Sequence, residues 1–455
     1  MEVLIYQVLG RLSGYSNVSY EIDGFIKRDI KLSSEALFSF YTEKKGYNAK
    51  IVYVCPNSLY KGQNILKDLT NTDLLKKKFS DEIRCSISVC KDNNFDILII
   101  NAIGSYQING EKLSFKNTPD NFSLRLFIDM LERIKKYDGK VMLVVDISTG
   151  HNIYIASMLE ALRAIIIYDK IRNGLMEKKI DTAYAISEPV GPDDKSFRRI
   201  FINEHDAKAF FALPIKAKNL DRLSKLECYV ECDSETKRNI SLKTENIRGR
   251  LKKLLVSFMK AFNSIKYNAP LALYTKSIID FGQDADVLEI KLIDFILEMI
   301  EKPVFKANEV VTTSLKKKDL FNLFYSLALF KWISNEIGES KGRDGVSITQ
   351  LREKTNQIYT KLDLLLNKRF LERDLNEICD KKDKIPEEWT PLGELYVGEK
   401  RQDSPTTSDL KRNFFAHSGL ERTMVEVRKY KGEIELRYTE KQLNTIHKWL
   451  LNPED

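Results

Sequence analysis

Residues 141–152 read VMLVVDISTGHN. Val141–Asp146 has the length and β-branched content of a buried strand, and the polar loop that follows contains a glycine. From Asn152 to Ile171 the apolar residues Ile155, Met158, Leu159, Leu162 and Ile166 recur at three- and four-residue spacing. That stripe predicts a helix, with Asn152 as its cap and free amides at its start that favour an anion. Strand, glycine loop and helix in this order make half of a crossover unit, and crossovers imply a mostly parallel sheet covered on both faces.

The same alternation extends outward. Val3–Leu9, Ile51–Cys55, Asp96–Asn101 and Thr182–Ser187 are further short apolar runs, and Arg199–Asn203 is a possible edge strand. Helical patterns lie between them, one capped by Ser33 or Ser34 and ending at Gly46, another over Asn121–Tyr137. Residues 1–212 therefore read as a Rossmann-like α/β domain. Ligands in such sheets sit beyond the carboxyl ends of the strands. The candidates are thus Gly10, Arg11, Ser13, Gly14, Tyr15 and Ser16 after the first strand, Asn57 and Ser58 after the second, Asn101 after the third, and Thr149, Gly150, His151 and Asn152 after the fourth. Glycine admits a close phosphate, and hydroxyls and amides can bond phosphate, ribose or base edges. The dinucleotide fingerprint Gly-x-Gly-x-x-Gly is not met, because Gly10 and Gly14 stand four apart and Val18–Gly24 looks like a strand.

From about residue 215 the pattern is helical. Ile247–Ile265, Val287–Ile300, Asp319–Ile337 and Ile348–Leu371 all carry apolar stripes. Residues 213–315 form a helical middle region, with a helix-turn-helix as one possibility, and 316–455 a C-terminal helical domain. Lys381–Thr407 reads as a long connecting loop, and Pro189–Pro192 as a turn. Val425–Lys429 and Glu433–Tyr438 flank Tyr430-Lys431-Gly432 as a β-hairpin, and Glu440–Leu451 is a final helix.

With 455 residues, 73 basic and 65 acidic, the chain carries a formal charge of +8, a mild excess that permits a phosphate-rich partner without demanding one. The Lys-Lys-Lys runs at 76–78 and 316–318 are expected to be solvated faces. Six cysteines at 55, 85, 90, 228, 232 and 379 make no Cys-x-x-Cys pair, although Cys228 and Cys232 could stack on one helical turn. No metal set is evident, and reduced thiols in a cytoplasmic protein are expected. MEVLIYQVLG lacks the features of a signal peptide, and no apolar stretch approaches the roughly 18 residues that span a bilayer.

One segment concentrates chemistry. Arg412-Asn413-Phe414-Phe415-Ala416-His417 sets a guanidinium, an amide and an imidazole within six residues. Imidazole moves protons near neutral pH, and guanidinium matches phosphate oxygens in bidentate fashion. Five helical positions advance a side chain by about 140° net, so Arg412 and His417 do not share a helix face. Either arginine wraps round, the helix ends between them, or two copies complete one groove across a two-fold axis.

Arg412-Asn413-x-x-x-His417 resembles the Arg-x(4–6)-His signature of HEPN ribonucleases. VMLVVDISTGHN resembles the strand and loop of CARF domains, the Rossmann-like sensors of type III CRISPR systems, and Leu9–Tyr20 is similar to the first ligand loop of that group. A CARF domain first and a HEPN domain last is the layout of the Csx family of ancillary ribonucleases. The resemblance implies a dimer that binds a cyclic oligoadenylate, usually the tetra-adenylate, in its CARF domains. It further implies metal-independent cleavage of single-stranded RNA to 2′,3′-cyclic phosphate ends, with Arg412 and His417 catalytic, Asn413 in support, and no cofactor beyond the activator. A ligand-responsive transcription regulator and a ring nuclease that degrades the messenger are the alternative functions.

Overall fold

A computed structural model of the chain describes residues 1–62, 68–91, 94–175, 177–188, 197–338, 345–396 and 407–454, without the side chains of residues 90, 91, 407 and 408. The expected turn at Pro189–Pro192 lies outside the described residues.

The N-terminal half is built on one eight-stranded sheet. Its strands are β1 (Glu2–Val8), β2 (Val18–Ile22), β3 (Phe25–Ile30), β4 (Asn48–Pro56), β5 (Phe95–Ile100), β8 (Val141–Asp146), β9 (Ile180–Ser187) and β10 (Arg198–Glu204), in the order β3-β2-β10-β9-β8-β1-β4-β5. The five strands β9-β8-β1-β4-β5 run parallel, in keeping with their near-continuous apolar sequences, and β10 pairs antiparallel on β9. β6 (Gly104–Ile108) and β7 (Glu111–Lys116) form a separate hairpin outside the apolar runs picked out in the sequence.

Helices cover both faces. α1 (Ser33–Ser39) packs Ala36 and Leu37 against Val3 and Ile5, while α2 (Thr72–Ser86) packs Leu75, Phe79 and Ile83 against Tyr53. α3 (Pro119–Ile134) and α4 (Asn152–Arg172) cover Leu4, Tyr6, Leu143 and Val145. Leu32 precedes α1, and the serines expected to cap it are buried within its first turn.

The C-terminal half contains α5 (Ser234–Lys266), α6 (Ala285–Glu301), α7 (Lys317–Ile337), α8 (Ile348–Lys361), α9 (Leu365–Cys379), α10 (Thr407–Ala416) and α11 (Leu443–Leu451). The run expected as one helix over Ile348–Leu371 breaks at Leu362–Leu364, where Asp363 takes a left-handed backbone with φ of 56°. Residues 267–284 separate α5 from α6, whereas the helices of a helix-turn-helix are joined by three or four residues. α5 packs on α11 instead, and the Asn263 side chain donates to the Leu450 carbonyl at 2.7 Å. The hairpin Val425–Tyr430 with Glu433–Tyr438 forms across Lys431 and Gly432, both at positive φ, as a two-residue primed turn demands. Short strands at Val346–Ser347 and Thr390–Pro391 extend it to four, so Lys381–Thr407 is structured in part rather than a plain loop.

The halves share a core. Phe127 of α3 meets the rings of Phe321 and Phe324 of α7 edge-on, each at 5.1 Å between centroids. Burying one such phenylalanine contributes about 1.5–3 kcal/mol. The run 316–318 is not a plain solvated face, because Lys317 is mostly buried and pairs with Asp120 and Glu160 across the same seam. Cys228 lies in a short 3₁₀ turn and Cys232 beyond the next strand, so they do not share a helical turn. Among the described residues no helix is long and apolar enough to cross a membrane.

Candidate functional site

β1 lies between β4 and β8, and the chain leaves it in both directions across the sheet. A parallel sheet opens a crevice at such a point, beyond the carboxyl ends of the strands. A cavity of about 490 Å³ lies there, lined by Gly10 and Arg11 after β1, Ser58 after β4, Gly150 and His151 after β8, and Tyr106 and Tyr154. A second cavity of about 620 Å³ shares Leu9, Gly10, Arg11 and Leu59 with the first and continues past Ser13 to Lys61, Lys78 and Glu82.

The loop after β8 is held from beneath. Asp146 is fully buried at the end of its strand and accepts from the Ser33 hydroxyl at 2.6 Å and the Ser148 amide at 3.0 Å. Gln7 donates to Ser33 at 3.1 Å and to Thr149 at 3.0 Å, and Ser34 donates to Gln7 at 2.5 Å. Burial pushes the Asp146 carboxyl above the usual carboxylate range against the pull of these donors. Gly150 follows at φ of 113°, with the Val8 side chain 3.4 Å from where a Cβ would stand, so both conformation and space favour glycine. The chain then enters α4 with His151, not Asn152, at the cap position, and both residues are exposed.

The other sequence candidates separate into two groups. Gly10, Arg11, Ser13 and Ser58 line the cavities, and Tyr15 accepts the Gly10 amide at 3.0 Å. Gly14 and Ser16 are exposed beside them. Asn57 and Asn101 serve the framework. Asn57 is buried, donates to Asn101 at 2.8 Å and accepts the Ala102 amide at 2.9 Å, while Asn101 donates to the Ile300 carbonyl at 2.7 Å.

Sequence reasoning missed Tyr106 and Tyr154. Tyr154 accepts the Ile103 amide at 3.0 Å, Tyr106 donates to the Ile103 carbonyl at 2.8 Å, and the two hydroxyls stand 3.3 Å apart. Burial raises the Tyr154 hydroxyl well above its ordinary value, which keeps it protonated. Tyr154 stands three residues after His151 on the cavity side of α4, a spacing that gave a legible but unused signal.

The C-terminal candidates cluster at the end of α10. The helix stops at Ala416, immediately before His417, so it ends between the two residues of the 412–417 pair. Arg412 and His417 are both exposed. Asn413, one turn before His417, shares with it a cleft of about 180 Å³ lined also by Asp374, Glu377, Tyr396 and Arg422. Arg422 stacks over the Tyr396 ring at 3.5 Å and pairs with Glu377 at 3.1 Å.

The turn after His417 is fixed by buried polar groups. Ser418 has φ of 52°, an uncommon conformation for a residue other than glycine, and Gly419 follows at 71°. The Ser418 hydroxyl donates to Asp374 at 2.6 Å and accepts from Asn268 at 2.9 Å, and Tyr359 donates to Asn268 at 2.7 Å. The four residues come from α9, the turn after α10, the segment after α5, and α8, so no short motif could have announced them. His447 packs elsewhere, with Nδ1 at 3.2 Å from the buried Lys260 ammonium. Burial pushes that ammonium down to about 8. Among the described residues there is no group of three or more side chains that could hold a metal ion.

Two family models match the chain. Residues 4–189 match the CARF domain of the CRISPR system endoribonuclease Csx1, and residues 364–440 match the HEPN domain of the same endoribonuclease. A search of curated proteins found no match. The first match covers the strands whose ends open onto the cavity, and the second covers α9, α10 and the hairpin around His417. The chain is a CARF–HEPN ribonuclease of the Csx1 type.

Proposed function

We propose that this CARF–HEPN ribonuclease is an endonuclease for single-stranded RNA whose activity is switched on by a cyclic oligoadenylate in the N-terminal cavity. The observation that carries the reading is that Arg412 on α10 and His417 just after it are both exposed, His417 preceding a turn fixed by the Asp374–Ser418 bond.

In the reaction, the 2′-hydroxyl of one nucleotide attacks its own 3′-phosphate. The bond to the 5′-oxygen of the next nucleotide breaks, leaving a 2′,3′-cyclic phosphate and a 5′-hydroxyl. His417 exchanges the proton of the attacking or the leaving oxygen. Arg412 stabilises the charge on the five-coordinate phosphorus, and Asn413, in the same cleft as His417, orients the phosphate. No step requires a metal. Pairing of two copies about a two-fold axis would set each 412–417 segment against its counterpart and bring Arg412 and His417 into one groove.

At the other end, Gly10, Arg11, Gly150 and His151 surround a crevice with the polarity and backbone access that a phosphodiester ring needs. Ser13, Gly14, Tyr15, Ser16, Ser58, Thr149 and Asn152 complete its surroundings. The ligand controls the nuclease by favouring the active arrangement of the pair.

The test is an RNase assay on the purified chain with cyclic tetra- and hexa-adenylate. Stimulated cleavage that persists in excess chelator and disappears in Arg412→Ala and His417→Ala is expected. Unchanged cleavage in both variants would remove the assigned site, and strict Mg²⁺ dependence would remove the acid–base mechanism.

A further inference from the structure

We propose that Tyr106 and Tyr154 sense occupancy of the N-terminal cavity and that the β6–β7 hairpin carries this state into the helical half. The inference rests on the cyclic-oligoadenylate reading and adds to it a route of control.

Both tyrosines line the cavity, and both hydroxyls grip the peptide of Ile103, the residue before β6. Tyr106 gives its proton to the Ile103 carbonyl. The contact between the two hydroxyls then takes the Tyr154 proton, so both protons are committed. A phosphate oxygen is an acceptor only. Taking the Tyr154 proton breaks the contact between the two hydroxyls, and taking the Tyr106 proton breaks its bond to the Ile103 carbonyl, which loosens Ile103.

Ile103 leads directly into the hairpin, and the hairpin is tied to the other half of the molecule. β7 pairs in parallel with Glu309–Val311, in the register Ser114 with Glu309, Phe115 with Val310 and Lys116 with Val311. The Ser114 amide donates to the Asn308 carbonyl and the Thr312 amide to the Lys116 carbonyl, each at 2.9 Å, closing the ladder at both ends. Phe115 and Val310 are buried in one cluster with Tyr106 packed against it. The partner strand lies between α6 and α7, and α7 continues through the core to α8, whose Tyr359 begins the bonds that end at Ser418 beside His417. Each link is a strand ladder or a buried contact, the kind of contiguous connection that transmits a two-state change.

The experiment uses the full chain, with cyclic tetra-adenylate as the probe. Val310→Pro removes a ladder donor from the shared strand without touching either site, and Val310→Ala is the milder change. Calorimetric affinity for the probe should be unchanged. Stimulated cleavage of single-stranded RNA should fall by about tenfold or more in the proline variant, within the range of a coupling between sites, and less in the alanine variant. In the wild-type chain the probe should change amide hydrogen exchange at 104–116 and 309–311 together. Full stimulation of both variants overturns the proposal, as does unaltered exchange at 309–311 with the probe bound. The exchange result decides alone if the proline variant does not fold. A wild-type chain that binds no cyclic oligoadenylate overturns the functional reading itself, and binding is read separately from both of the other measurements.

Discussion

The loops around His151 and His417 are built on the same plan with different reach. Each presents an exposed histidine at a helix end, His151 before α4 and His417 after α10. Each has left-handed residues next to the histidine, Gly150 in one case and Ser418 and Gly419 in the other. Each rests on a buried aspartate bonded to a serine hydroxyl, Asp146 to Ser33 and Asp374 to Ser418. The network below His151 stays within one sheet and the helix α1 on its face. The network below His417 gathers four segments spanning residues 268 to 418. The loop after β8 is thus fixed by its own domain, whereas the turn after His417 depends on the assembly of the whole helical half.

The sharpest way to break this comparison is to exchange the two losses. His417→Ala should lower stimulated RNA cleavage by about 10²–10⁴-fold, the usual worth of a general acid–base group, and leave messenger affinity intact. His151→Ala should instead raise the messenger concentration needed for half-maximal cleavage. Equal effects of the two on both readouts would remove the division of labour.

Gly419→Ala should come next. A Cβ there would stand 2.8 Å from the Ala269 backbone and 2.9 Å from the Tyr438 hydroxyl, on a backbone that disfavours any side chain. A loss of about 1–3 kcal/mol in denaturant unfolding is expected, with cleavage reduced in parallel. Gly432→Ala, at φ of 82° with open space around it, is the control that separates strain from collision.

Asp374→Ala should cost about 1–3 kcal/mol, because the buried Ser418 hydroxyl loses its acceptor. If the four-segment network fixes the turn, this variant should lower kcat more than it raises KM. A purely stabilising role would leave the kinetics of the folded fraction unchanged.

The smallest effect concerns Asp146. Its carboxyl is held above the ordinary range by burial, so the fold prefers the protonated form. That contribution is fully present below the unfolded value of about 3.9 and is lost as pH rises through the raised folded value. Asp146→Asn has no carboxyl proton to lose, so its denaturation midpoint should change less between about pH 4 and pH 7 than that of the wild type. Parallel midpoints for both chains would show that the group does not set this dependence.

The same contrast governs what could be read in advance. VMLVVDISTGHN contains the strand, Asp146, the obligatory glycine and His151 in unbroken sequence, so the loop and its cavity were legible there. Asn57 and Asn101 follow strands and so read as ligand candidates, yet their amides join strand ends to one another and to the Ile300 carbonyl. Residue type and position are the same for a contact residue and a framework residue, and only the hydrogen-bond partners distinguish them. The β6–β7 hairpin turns on Asn109 and Gly110, both at positive φ, a local signal left unused, whereas its pairing with Glu309–Val311, nearly 200 positions away, has no local signature.

Periodicity and local chemistry in the sequence alone determined the alternating sheet-and-helix half, the helical half, the hairpin at 425–438, and the closeness along the chain of a guanidinium and an imidazole at 412–417. These follow from short-range rules, since side-chain spacing fixes which face of an element is apolar. Tertiary structure alone decided which asparagines were consumed internally, that two tyrosines clamp the Ile103 peptide, and that Asp374, Asn268 and Tyr359 hold the turn after His417. Those facts depend on which distant groups meet in a water-excluded interior, where an unpaired polar atom is costly, and the order of residues along the chain does not specify which partner satisfies it.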